Sequence, residues 1–151
     1  MADVVNKATR SRMMAGIRGK DTKPEILLRK GLFSRGFRFL LHDTRLPGKP
    51  DMVFPRYKAV ILAHGCFWHG HDCPLFKWPS SNTAFWKKKI SRNREVDIST
   101  RTSLESLGWR VLTVWECSLK GPSRLPDNQV IDEASLWLLS DNCTRDIKGR
   151  P

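Results

Sequence analysis

The sequence is short of acidic residues and of cysteine, and it contains no long apolar run. Only 15 of its 151 residues are Asp or Glu, against 27 Lys and Arg, which leaves a formal charge of +12. No stretch approaches the roughly 20 apolar residues that a bilayer-spanning helix needs. The opening Met-Ala-Asp-Val-Val-Asn-Lys lacks the basic-then-apolar layout of a secretory signal. A cytoplasmic protein is expected, with no membrane partner. In that compartment four cysteines serve metals or chemistry rather than disulfides. Internal repeats and low-complexity tracts are also missing, and the length suits one domain with its own core.

What is present in excess is positive charge. An imbalance of this size favours a polyanionic partner, because lysine and arginine neutralise phosphates. Solubility alone is the simpler explanation of the charge. Six tryptophans favour nucleic acid, since flat side chains stack on bases, although most are expected to pack in the core.

Taken in order, residues 1–20 form a basic arm with Lys7, Arg10, Arg12, Arg18 and Lys20 around the apolar pair Met13-Met14. Such an arm is either a solvated tail or a segment that orders on nucleic acid, with methionine as an apolar wedge. Residues 21–140 then read as a single domain. Thr22-Lys-Pro-Glu25 is a capping box that opens a helix with Leu28 and Leu32 on one face. Glu25 has a ready role as the glutamate of that box, and a second role near a metal stays open. Phe37–Leu41 reads as a strand, 43–49 as a Pro-Gly loop, and Met52–Phe54 as a second strand. Tyr57–Ala63 is apolar throughout from Ala59, as a strand buried on both faces would be. A helix follows from Thr83 towards Leu107, capped within Ser80–Thr83 and open to a break midway. Trp109–Trp115 returns as a strand, and Val130, Ile131, Ala134, Trp137 and Leu138 mark a last helix. Residues 141–151 read as a polar tail holding a lone Cys143. The order α-β-β-β-α-β-α predicts an α/β mixed sheet flanked by helices.

The densest chemistry lies in Ala63-His-Gly-Cys-Phe-Trp-His-Gly-His-Asp-Cys73, which holds three of the four histidines and two of the four cysteines. A structural zinc needs four soft ligands. Cys66, Cys73 and Cys117 supply three, and spacing leaves His69 and His71 as equal candidates for the fourth. Free buried thiols are the alternative. Upstream, Asp51 opens a strand whose hairpin partner returns to Ala63-His64. A carboxylate there suits magnesium, which takes oxygen ligands and activates water for phosphodiester hydrolysis. A nearby histidine can move the proton. Alone, Asp51 is ordinary turn chemistry after a proline.

Leu46-Pro-Gly-Lys-Pro-Asp51, the Ala63–Cys73 window and Gly108-Trp-Arg-Val-Leu-Thr-Val-Trp-Glu-Cys117 together resemble the very short patch repair (Vsr) endonucleases. So does the opening Lys7-Ala-Thr-Arg-Ser-Arg-Met-Met14. The resemblance implies a fold related to type II restriction enzymes, with zinc as a family addition. It implies a magnesium-dependent nick in double-stranded DNA, 5′ of the mispaired thymine of a T:G mismatch left by 5-methylcytosine deamination. Asp51 would hold magnesium with the backbone carbonyl of Ala63. His64 and His69 would act at the scissile phosphate, His69 as the proton-transfer group. Asp97 would orient a histidine, and Glu25 would touch water held by the ion. Cys66, His71, Cys73 and Cys117 would bind zinc. Phe67, Trp68 and Trp86 would wedge beside the mismatch, with Met14 entering from the opposite groove. A monomer in the bacterial cytoplasm, associated with the nucleoid and with a mismatch-repair protein as a further partner, completes the expectation.

The acid and lysine that usually follow the first aspartate of restriction-type enzymes are missing here, as they are in the repair family. Two other readings compete with the nickase. One is a zinc-stabilised DNA-binding module without catalysis. The other is a restriction-type nuclease that cuts matched duplex.

Overall fold

Two apolar strands side by side, Ala59–His64 and Arg110–Trp115, form the centre of the molecule. The computed structural model describes residues 22–151. The basic arm and Met14 lie outside the described residues. Helix α1 spans Lys23–Ser34, β1 Leu40–Leu41, β2 Met52–Phe54, β3 Ala59–His64, α2 Thr83–Ser106, β4 Arg110–Trp115, α3 Asp127–Leu139 and β5 Arg145–Ile147. The sheet runs in the order β1-β2-β3-β4-β5. Its first three strands are antiparallel neighbours, and β3, β4 and β5 run parallel. This is the mixed sheet flanked by helices that the element order predicts.

Both faces of the central strands are covered, which is why they are apolar without alternation. Ala59 and Ile61 of β3 and Leu112 and Val114 of β4 share one core with Leu28 and Leu32 of α1 and Ile131, Ala134, Trp137 and Leu138 of α3. The intervening Val60, Leu62 and Val111 pack on the other face with Leu104 of α2. The two covering helices of the first face approach closely at Gly31. A Cβ there would come within 2.6 Å of the Ile131 side chain.

Several boundaries differ from the sequence reading, among them the start of β3, which falls at Ala59 rather than Tyr57 because Pro55–Tyr57 form a 3-10 turn and Lys58 is left-handed. The strand expected over Phe37–Leu41 shrinks to Leu40–Leu41. Phe37 and Phe39 instead turn their rings onto Phe54. Helix α2 is continuous, with no midway break. It opens on Asn82, whose φ of 54° is left-handed and whose side chain makes no capping bond. The polar tail contributes a fifth strand, with Leu112 opposite Arg145 and Val114 opposite Ile147. Ile147 alone is buried there, and an edge strand needs no more apolar character than that. At the other end of the chain, Thr22 caps α1 as expected, its hydroxyl accepting the Glu25 amide at 3.4 Å.

No helix among the described residues is long and apolar enough to cross a membrane. Trp137 is the largest of the fully buried side chains. Its indole N–H donates to the Cys143 carbonyl at 2.9 Å, and the Arg110 guanidinium lies over its ring at 4.6 Å. Trp137→Ala is expected to lower unfolding stability by about 3–5 kcal/mol, through lost burial and a residual cavity, as read by urea denaturation.

Candidate active site and metal centre

Parallel pairing of β3 with β4 puts His64 opposite Trp115, so both strands end at the same level of the sheet. The two chain segments that leave there converge. The Cys66 amide donates to Glu116 Oε1 at 3.2 Å, and the Cys117 amide donates to Cys66 Sγ at 3.3 Å. His71 Nδ1 lies 3.6 Å from both Cys66 Sγ and Cys117 Sγ. With Cys73, these form one group whose ligand atoms all lie within 4.8 Å of each other. Tetrahedral zinc with ordinary Zn–S and Zn–N bonds puts sulfur and nitrogen about 3.5 Å apart. The observed spacing therefore fits zinc closely.

The electrostatics suit a bound cation. Burial pushes the thiols of Cys66 and Cys117 upward, and the neighbouring Cys73 adds to the rise at both. Burial, then Lys148, pulls His71 down, so its imidazole is neutral and able to ligate. The His71 ring also stacks on Trp115 at 4.1 Å and 9°. One further contact comes from the tail: the Gly149 amide donates to Cys117 Sγ at 3.3 Å. A Cβ at Gly149 would sit 2.6 Å from the Cys117 carbonyl, so only glycine allows that approach. By composition this segment is a polar tail, and only its folding beside β4 brings Gly149 to Cys117.

The histidine that spacing left undecided is drawn elsewhere. His69 Nδ1 lies 2.6 Å from Asp97 Oδ2, and its ring stacks on His64 at 3.8 Å with 1° between planes. Gly70 makes this bend possible, with φ of 60° and room for no side chain against Ile90 and Arg94 of α2. Arg94 donates to the Gly70 carbonyl, and the Asn93 amide group donates to the Trp68 carbonyl at 2.7 Å. The loop is thus pinned along α2. Burial, then the adjacent His69 and Arg101, hold His64 well below the usual imidazole range. His64 is therefore neutral near pH 7. Its Nδ1 is buried and has no hydrogen-bond partner among the described residues.

Asp51 sits one residue before β2. The Ala63 amide donates to its Oδ2 at 2.7 Å, which ties the carboxylate to the residue preceding His64. Burial raises Asp51 to about 7. The Ala63 hydrogen bond opposes that rise, and the nearby Glu25 carboxylate adds to it. Glu25, only 3% exposed, belongs to the same cluster. The third member is His42, which the sequence reading did not single out. As a lone histidine between a strand and a Pro-Gly loop it gave no motif. It reaches the cluster because its own backbone is left-handed, at φ 47°, and its amide donates to the Asp51 carbonyl at 3.3 Å.

The aromatic residues of the window gather on one side of the loop. Phe67 lies 5.1 Å from Trp68 and 5.3 Å from Trp86, and Trp68 lies 5.8 Å from Trp86. Phe76, Trp78 and Phe85 extend the group through Phe67 and Trp86. Trp78 and Phe85 are 45% and 60% exposed. Phe67, Trp68 and Trp86 themselves are partly buried within this group.

Comparisons with known proteins agree on one family. The model of the family described as DNA mismatch endonuclease Vsr matches residues 2–75. A protein of Escherichia coli K12 named DNA mismatch endonuclease Vsr is 44% identical over 147 residues, covering 97% of this chain and 94% of its own. A Neisseria meningitidis protein named type II nicking enzyme V.NmeAIP is 50% identical over 120 residues, covering 80% of this chain and 86% of its own. A Xanthomonas oryzae protein named type II nicking enzyme V.XorIIP is 44% identical over 119 residues, covering 79% and 88%.

The thiol cluster makes a prediction independent of activity. Zinc binding must strip protons from the thiols of Cys66 and Cys117, which burial holds neutral, whereas His71 has none to lose. Calorimetric titration of zinc into metal-free protein at pH 7, in buffers of different ionisation enthalpy, should show net proton release. Cys66→Ala should reduce that release and lower the melting temperature. Zinc uptake without proton release would exclude the thiols as ligands.

Proposed function

This chain belongs to the DNA mismatch endonuclease Vsr family, and we propose that it nicks one strand of double-stranded DNA 5′ of the mispaired thymine in a T:G mismatch, with magnesium at Asp51. That the protein is a DNA endonuclease of mismatch repair follows from its relatives. The magnesium dependence, the mismatch and the residue roles are the proposal. The observation that carries it is the splitting of one short loop. His71 turns to the thiols, while His69 turns to Asp97 and stacks on His64 beside the Asp51 strand end.

Asp51 and Glu25 are the oxygen donors present for a hard cation, with the Ala63 carbonyl as a further ligand. When bound, magnesium supplies charge neutralisation at the phosphodiester and lowers the pKa of water. His69 is the proton-transfer group, held in one tautomer and orientation by the Asp97 carboxylate. His64 is neutral and presents an imidazole to the phosphate. Phe67, Trp68 and Trp86 enter the base stack beside the mismatch, where unstacking costs least. Met14, on the arm, enters from the opposite groove. The basic surface binds any duplex, so selectivity rests on the wedge and on groove contacts rather than charge. Zinc at Cys66, His71, Cys73 and Cys117 stiffens the loop that carries His64, Phe67, Trp68 and His69. The protein acts as a cytoplasmic, nucleoid-associated monomer, with a mismatch-repair protein as a further partner.

Incubation with magnesium and T:G duplexes in several sequence contexts is expected to give a single nick in the thymine strand. Intact DNA in every context would leave the zinc-stabilised binding module as the better reading. Cleavage of both strands of matched duplex would favour the restriction-type nuclease. Asp51→Ala and His69→Ala should each reduce nicking by about 10²-fold or more while leaving DNA binding.

A pH dependence follows from Asp51. Its carboxyl is neutral below about 7 and ionised above, and a cation needs the ionised form. Magnesium affinity should therefore rise as pH increases through about 7 and level off beyond it. A flat profile between pH 6 and 8, measured by calorimetry, would remove Asp51 from the ligand set.

A further inference from the structure

The carboxylates of Glu25 and Asp51 lie together in a mostly buried pocket, and buried carboxylates need a compensating cation. A guanidinium already occupies part of that role. Arg29, one helical turn after Glu25 on α1, places one terminal nitrogen 2.8 Å from Glu25 Oε2 and 3.0 Å from His42 Nε2. His42 Nε2 is itself 3.5 Å from Glu25 Oε2, and His42 Nδ1 is 3.8 Å from Asp51 Oδ1. Arginine can only donate, so His42 Nε2 accepts and its proton sits on Nδ1, on the side of Asp51. Arg29 is 17% exposed and Glu25 3%, which leaves the pair poorly screened.

These contacts form a chain from Arg29 through Glu25 and His42 to Asp51. Glu25 Oε2 and His42 Nε2, two of the three donor groups that could hold a metal ion here, are the atoms the guanidinium touches. We infer that Arg29 is an internal counter-cation of this site: it holds Glu25 and His42 in place beside Asp51 while no divalent ion is bound, and a divalent ion binds in competition with it. The inference rests on the reading of Asp51 and Glu25 as the divalent cation site. It adds a positioning role for Arg29 and His42, through Glu25 and Asp51 rather than through DNA.

The competition has a sign that a purely structural salt bridge would not show. Removing Arg29 should weaken the ion-free protein and strengthen ion binding. The test uses Mn²⁺ as the probe, with free Mn²⁺ followed by electron paramagnetic resonance in titrations of the zinc-loaded full chain. Wild type, Arg29→Gln, Arg29→Lys and Asp51→Asn are compared. Arg29→Gln is expected to bind Mn²⁺ roughly tenfold more tightly than wild type, through loss of one adjacent positive charge. Its melting temperature without added Mn²⁺ should fall below that of wild type, and the gap should close as Mn²⁺ is added. Arg29→Lys, which keeps the charge but cannot span Glu25 and His42, should fall between the two. Arg29→Gln binding equal to or weaker than wild type overturns the inference while Asp51→Asn still abolishes binding. Should Arg29→Gln fail to fold, unchanged or weaker binding by Arg29→Lys overturns it instead. Wild-type binding that Asp51→Asn leaves intact would overturn both the inference and the cation-site reading beneath it.

Discussion

Parallel pairing between β3 and β4 is the constraint on which the functional geometry depends. Those strands bury apolar side chains on both faces, Ala59 and Ile61 toward one core and Val60 and Leu62 toward the other. With register fixed, His64 faces Trp115 across the ladder, and the segments that follow are forced together. Cys66 then meets Glu116 and Cys117 through backbone donors. His71 and Cys73 complete the thiol cluster. The antiparallel neighbour β2 adds Asp51 through the Ala63 amide on the opposite edge of β3. One strand therefore positions both centres, with the backbone of Ala63 on one side and the chain after His64 on the other.

The division of labour inside the Ala63–Cys73 loop is an electrostatic one. Neutral thiols and a neutral imidazole await a cation at one end. At the other, His69 has a carboxylate partner while the stacked His64 does not. The two rings stack in parallel at 3.8 Å, and burial holds His64 well below the usual imidazole range. The Asp51 pocket follows different logic, since its carboxylates accumulate negative charge that only a cation relieves.

Much of this was legible in the sequence where a residue pattern had one physical explanation. The apolar run from Ala59 could only be a doubly buried strand, and Thr22-Lys-Pro-Glu25 could only open a helix. Spacing alone left the choice between His69 and His71 open, and only the family resemblance named His71, because the choice depends on how Gly70 turns the backbone against α2. His42 was not legible, being a single residue whose left-handed backbone carries it to Asp51. The strand at Arg145–Ile147 escaped for a different reason. An edge strand buries one side chain and pairs through its backbone, and backbone hydrogen bonding leaves no mark on composition. Phe37–Leu41 erred in the opposite direction, since aromatic residues that suit a strand also suit packing against Phe54 from a loop.

The continuity of α2 also has a mechanical side. Trp86 and Asp97 stand eleven residues apart on it, roughly 16 Å along the axis at 1.5 Å per residue. No proline or glycine interrupts that span, so it has no ready hinge. The ring that meets Phe67 and Trp68 and the carboxylate that grips His69 therefore ride on one stiff rod. The two groups keep a fixed spacing along the helix, like two marks on one ruler.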